Sequence, residues 1–183
     1  ENGNLLAKGW ARHNVFDYKR SQVRPRFRLK EWDFHQIQDG QYKVLINFFN
    51  ITVGTSAAAS IRDIRTGELI AENICIIPFT RYRFLPPEIG DRTNKLEFND
   101  CGIKMVYDTN TEEGYRHITF ESTYKEKPIK YEFWEEIPAG HENITIVTPF
   151  KKKKNQFFLT TKQNCLPAEG YVQIGDEKIT FTK

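Results

Sequence analysis

From Tyr115 onward apolar and polar side chains alternate: Ile118 and Phe120 are interleaved with His117, Thr119 and Glu121, then Ile129, Tyr131 and Phe133 with Lys130 and Glu132. A period of two sends successive side chains to opposite faces of a strand, so each segment predicts a strand with one apolar and one polar face. Trp134 is the exception, an aromatic on the polar face. Short strands are predicted near 31–37, 42–49, 69–77, 95–98, 102–107, 115–124, 129–134, 143–147, 156–161, 171–174 and 178–181. Turn signals separate them, among them Asp39-Gly40, Asn99-Asp100, Pro138-Ala139-Gly140 and Gly175-Asp176. Residues 24–30 alternate as well: Arg24, Arg26, Arg28 and Lys30 against Pro25, Phe27 and Leu29. That predicts a half-buried strand with a basic face, Pro25 lying at its start or on an edge because it has no N–H to give. Gly54 and Ala57 to Ala59 suit close backbone approach, and Pro78 to Pro87 reads as an aromatic loop. No segment has a helical period. About a dozen short strands at this spacing describe an antiparallel barrel or sandwich.

Composition agrees, with 14 Phe, 8 Tyr and 3 Trp to fill a core and a length of 183 residues that fits one domain. The net charge of +3 is segregated. Residues 8–30 hold eight basic side chains against Asp17, whereas the rest of the chain is acidic on balance. Residues 1–23 read as a covering arm anchored by Trp10, Val15, Phe16 and Tyr18. Cys75, Cys101 and Cys165 are odd in number and far apart, so reduced thiols and a cytoplasmic location are expected. No apolar run is long enough to span a bilayer. Asn50-Ile51-Thr52 and Asn143-Ile144-Thr145 match the glycosylation triplet, which counts only in a secreted eukaryotic protein.

The run Thr161-Lys162-Gln163-Asn164-Cys165-Leu166-Pro167-Ala168-Glu169-Gly170 fits neither an ordinary strand nor an ordinary turn. With Gly140-His141-Glu142-Asn143, Pro149-Phe150 and Gly9-Trp10-Ala11-Arg12-His13, it resembles the DUF2804 family of uncharacterised, mostly bacterial proteins, over essentially the whole chain. The resemblance implies a longer protein in which these residues are the N-terminal half and a second β-rich half follows. It also implies a distant, fold-level similarity to lipocalin-like proteins that include carotenoid 1,2-hydratase, with no activity to carry over. The expected fold is all-β, an antiparallel lipocalin-like barrel or strongly curved β-sandwich, with residues 1–183 as a single domain.

Lys162, Gln163, Asn164 and Glu169 would make a polar site: a cation, two amide partners, and a carboxyl that burial would tune as an acid. The plainer account is a strained corner whose side chains satisfy backbone groups, and it is preferred because no nucleophile accompanies the cluster. Cys165, with no histidine adjacent, is expected to be a buried, inert thiol. His141, presented from a loop, is a second candidate acid. His13, His35, His117 and His141 lack the spacing of metal ligands, so neither metal nor cofactor is expected. Arg24, Arg26, Arg28 and Lys30 would hold a carboxylate or phosphate head group, with Arg28, Lys30 and neighbouring Trp32 as the candidate contacts; pairing of the row with Glu31, Asp33 or Glu135-Glu136 is the preferred account. Lys151 to Lys154 read as a solvated hairpin tip. Nucleic acid is not an expected partner, because no recognition motif accompanies the basic residues.

Three functions remain. One is binding of a small amphipathic or lipid-like ligand in a barrel, with the Lys162 cluster or the basic row at its head. Another is hydratase-like or isomerase-like catalysis with Glu169 or His141 as general acid. The third is a structural half-domain that packs against a second half or another copy. Binding is preferred, since no complete catalytic set can be read.

Overall fold

The structure is a computed structural model that describes residues 3–79, 85, 93–151, 153 and 155–183. The described strands are β1 (Gly9–Ala11), β2 (Glu31–Gln38), β3 (Tyr42–Asn50), β4 (Gly54–Asp63), β5 (Leu69–Pro78), β6 (Asn94–Asp100), β7 (Ile103–Asn110), β8 (Tyr115–Tyr124), β9 (Lys127–Glu136), β10 (Ile144–Pro149), β11 (Phe157–Lys162), β12 (Ala168–Ile174) and β13 (Glu177–Phe181). All pairings are antiparallel and form three sheets: β2-β3-β4-β5, β13-β12-β9-β8-β7-β6 and β1-β10-β11. No helix among the described residues is long and apolar enough to cross a membrane.

The predicted alternation puts Val44, Ile46, Phe48, Ala57, Ala59 and Ile61 on one inner face and Met105, Tyr107, Ile118, Phe120, Tyr131 and Phe133 on the other. All are buried in one core between the four-stranded and six-stranded sheets. Such side chains contribute roughly 1.5–3 kcal/mol each on burial, which makes this interface the main source of stability. Phe48 meets Phe98 edge-on across it, as Tyr42 meets Phe181. Two facing sheets are consistent with the curved-sandwich expectation. The barrel is corrected, because none of the sheets closes on itself.

Three further expectations change. Residues 24–30 are not a strand: Arg26–Arg28 is a single 3-10 turn, and Phe27 is 70% exposed instead of facing a core. A polar–apolar period of two over so few residues is also compatible with a turn. Cys75 and Cys101 are joined as a disulfide, tying β5 to the turn between β6 and β7, while Cys165 is free and exposed, neither buried nor shielded. This removes the ground on which a cytoplasmic location was expected, since disulfides persist mainly in oxidising compartments. Finally, Trp10 and Val15 are exposed and do not anchor the arm. Its hold comes from the short β1–β10 pairing and from Glu31, which accepts from Arg20 at 2.7 and 2.9 Å and from the Tyr18 hydroxyl at 3.2 Å. Both glycosylation-type asparagines, Asn50 and Asn143, are buried. Most of the aromatic loop read at 78–87, with Gly90 beyond it, and Lys152 and Lys154 of the tip lie outside the described residues.

Candidate functional site

At one end of the inter-sheet space the inward row of each strand turns from apolar to charged. β2 supplies Asp33 and His35, β7 supplies Thr109, β8 supplies Arg116 and β9 supplies Glu135. His35 Nδ1 lies 3.1 Å from Glu135 Oε1, and its Nε2 lies 3.3 Å from Asp33, in ion-pair range but poorly aligned for a hydrogen bond. Arg116 donates to Glu135 Oε2 at 2.8 Å, to Thr109 Oγ1 at 2.9 Å and to Gln163 Oε1 at 2.9 Å. The Tyr107 ring stands edge-on to His35 at 4.6 Å.

Burial disfavours the charged forms of His35, Glu135 and Asp33, but their neighbours' charges favour those forms more. Burial opposes the His35 imidazolium, yet Glu135 and then Asp33 outweigh it and lift the pKa from 6.5 to about 9. Burial likewise opposes the Glu135 carboxylate, but the His35 charge and hydrogen bond, with those of Arg116, hold it down to about 2. Asp33 is lowered too: His35, Arg116 and the Phe34 N–H overcome its desolvation. The Tyr107 hydroxyl, buried beside this charge, is pushed well up by desolvation and by the Asp33 and Glu135 carboxylates. An imidazolium with a pKa of about 9 is a poor general base near neutrality. The set locks the two sheets together.

The sequence-predicted polar site is divided. Gln163 joins this network from the connection after β11. Lys162 ends β11, opposite Ile144, and is exposed, as is Asn164. Glu169 stands opposite Trp134 in the β12–β9 ladder; partners in a ladder share a face, so it lies on the outer side of the sheet from Arg116 and Glu135, in water. His141 is half-buried in a turn whose backbone N–H donates to Pro138. Trp134, the exception in the alternation, lies against His117 with ring centroids 4.0 Å apart and against Tyr115 at 5.2 Å. Asp33, His35, Arg116 and Glu135 were missed as a group. The signal was present, because each shares its strand's inward period with Ile37, Ile118 or Phe133.

The second feature is an uncovered apolar face. On the outer side of the four-stranded sheet, Trp32 and Phe34 of β2 lie beside Phe49 and Asn47 of β3. Ser56 and Ala58 of β4 follow, then Ile76 and Ile74 of β5. Trp32 is 48% exposed, Phe34 49%, Ile74 56% and Ile76 67%. One margin meets the third sheet, where Phe158 of β11 stacks on Trp32 at 5.7 Å. Arg28 and Lys30, both exposed, enter the same strand.

A family model described as "Domain of unknown function (DUF2804)" matches residues 1–183. No curated protein and no solved structure matches the chain.

Proposed function

Because the chain belongs to the DUF2804 family over residues 1–183, whose description assigns no activity, function rests on the chain's own surface, and we propose a non-catalytic module that binds an amphipathic, lipid-like anion on the outer face of its four-stranded sheet. The observation that carries this reading is the apolar face made by Trp32, Phe34, Phe49, Ile74 and Ile76. Contiguous exposed patches of this kind mark binding surfaces, and each side chain left half wet forgoes on the order of 1 kcal/mol that a ligand's apolar body would recover. Arg28 and Lys30, exposed just before β2, would take the anionic end by charge-assisted hydrogen bonds.

Dodecanoate, below its micelle concentration, is the probe, with intrinsic fluorescence as the signal and Trp32→Phe to identify its source. Ile74→Thr with Ile76→Thr is expected to weaken binding at least about tenfold, and Arg28→Glu with Lys30→Glu by a similar factor. Wild-type affinity in both double variants would sink the reading. Catalysis is less well supported. Glu169 stands in water on the outer side of its sheet, and no pocket encloses it among the described residues.

A second use of the same face is favoured by β4. Its small Ala58 and Ser60, both half-buried, lie between the larger side chains of β3 and β5, where the side chains of another β-layer would pack. If another copy fills it, sedimentation equilibrium would show a dimer that Ile74→Thr with Ile76→Thr dissociates.

A further inference from the structure

At the end of the four-stranded sheet where β2 begins, three connections are tied into one rim. The 3-10 turn Arg26–Arg28 is held through the Thr52 hydroxyl, which donates to the Leu29 carbonyl and lies 3.3 Å from that of Arg26. The β3–β4 connection is pinned by Ile51 N–H to Gly54 at 3.0 Å and by Thr52 N–H to the Asn50 side chain at 2.6 Å. Phe79, just past β5, donates its N–H to Val53 at 2.6 Å. The rim is therefore built and hydrogen-bonded, yet its large side chains are in water: Phe27 is 70% exposed, Val53 60% and Phe79 80%. Thr52 (φ 72°) and Phe79 (φ 60°) both lie in the left-handed region that β-branched and bulky residues avoid. Their backbone conformations are imposed by these contacts.

Around the same rim stand Arg24, Arg26, Arg28 and Lys30, all exposed. Among the described residues none of them pairs with a carboxylate, since Glu31 is taken by Arg20 and Asp17 by Lys19. Arg24 donates to the Ser21 and Val23 carbonyls at 2.8 and 2.7 Å, and Arg26 to Ser21 at 3.2 Å. Bonds to neutral carbonyls hold the guanidinium groups in place without cancelling their charge.

We propose that this rim docks on an anionic membrane leaflet, with Phe27, Val53 and Phe79 entering the boundary between head groups and acyl chains and the basic row meeting the phosphates. Protruding apolar side chains girdled by cations that have no carboxylate partner among the described residues fit the two components of such a surface, an apolar interior and a negative potential that decays within a Debye length. The proposal deepens the ligand-binding reading on which it rests, for it makes the leaflet the place where the amphipathic anion is met.

The test is co-sedimentation with vesicles of mixed phosphatidylglycerol and phosphatidylcholine, against phosphatidylcholine alone. Wild type is expected to bind the anionic vesicles at least about tenfold better and to be released by salt. Phe27→Ser, Val53→Ser and Phe79→Asn combined, and separately Arg24→Glu with Arg26→Glu, are each expected to lose about tenfold in vesicle binding. Asparagine suits the left-handed backbone at 79. Dodecanoate binding should survive the Phe27, Val53 and Phe79 changes, while Ile74→Thr with Ile76→Thr should lose dodecanoate and keep the vesicles. As a readout that removes nothing from the fold, Phe79→Trp is expected to be quenched by brominated acyl chains. Absence of wild-type vesicle binding, equal binding to neutral vesicles, or an unquenched Trp at 79 would overturn the docking proposal. Dodecanoate binding without vesicle binding overturns the docking and leaves the ligand site standing, and the reverse pattern separates them the other way.

Discussion

His35 and Glu135 shift in opposite directions, so the stability they share depends on pH from both sides. His35 has a folded pKa raised from 6.5 to about 9; its contribution is complete below 6.5 and is lost as pH rises through about 9. Glu135 has a folded pKa depressed from 4.5 to about 2; its contribution is complete above 4.5 and is lost as pH falls through about 2. Between pH 4.5 and 6.5 both are intact. Urea midpoints measured from about pH 3 to about pH 10 are expected to plateau in that window and decline on either side. Glu135→Ala removes the carboxylate that Arg116 and His35 share, leaving His35 to Asp33 alone, and is expected to cost about 3–5 kcal/mol, with a flattened acid limb. A loss below about 1 kcal/mol would mean that water or another side chain takes over the pair. These residues lay on the apolar period of their strands and so were legible one by one. Their partnership was not, because His35 and Glu135 are 100 positions apart and only the stacking of two sheets brings them together.

At the scale of the element, the C-terminal motif resolves into a corner. Cys165 takes a left-handed conformation with φ 59°, the Pro167 carbonyl accepts from Glu136 N–H at 2.8 Å, and β12 starts at Ala168. Two residues on, Gly170 runs so close to β9 that a Cβ there would overlap the Glu132 carbonyl oxygen and the Phe133 ring. The glycine is therefore a requirement of the β12–β9 ladder. Gly170→Ala is expected to destabilise by about 2–3 kcal/mol, read as a lower urea midpoint, with amide protection lost first in β12. Unchanged protection there would refute the close approach. Strand positions were well announced by alternation, and Tyr115–Tyr124 runs over the predicted residues. The failure at residues 24–30 has a physical cause: the same pattern there includes Pro25, which cannot donate to a ladder, and among the described residues no strand pairs with the segment.

For the whole molecule, alternation announced two packed layers but not whether they would close. Closure depends on which strands find each other, and that information lies in edges: among the described residues β2 pairs only with β3, and β6 only with β7. The apolar outer face was hidden for a related reason. Trp32, Phe34, Ile74 and Ile76 look like core residues by type, and only the register shows that they share the side away from the core. What joins the layers covalently is the Cys75–Cys101 disulfide. Replacing both cysteines by serine is expected to cost about 2–4 kcal/mol in the urea midpoint, by releasing loop entropy in the unfolded chain. No change in the midpoint would mean that the bond is not formed in solution.

That bond also separates two meanings of an intact protein. It closes a ring from Cys75 to Cys101, with a sequence separation of 26. A single protease cut anywhere within the ring breaks the polypeptide and leaves both pieces fastened to each other. On a denaturing gel without reductant such a nicked protein runs as one species, and adding thiol releases two fragments. Continuity of the backbone and persistence of the particle are therefore independent properties here.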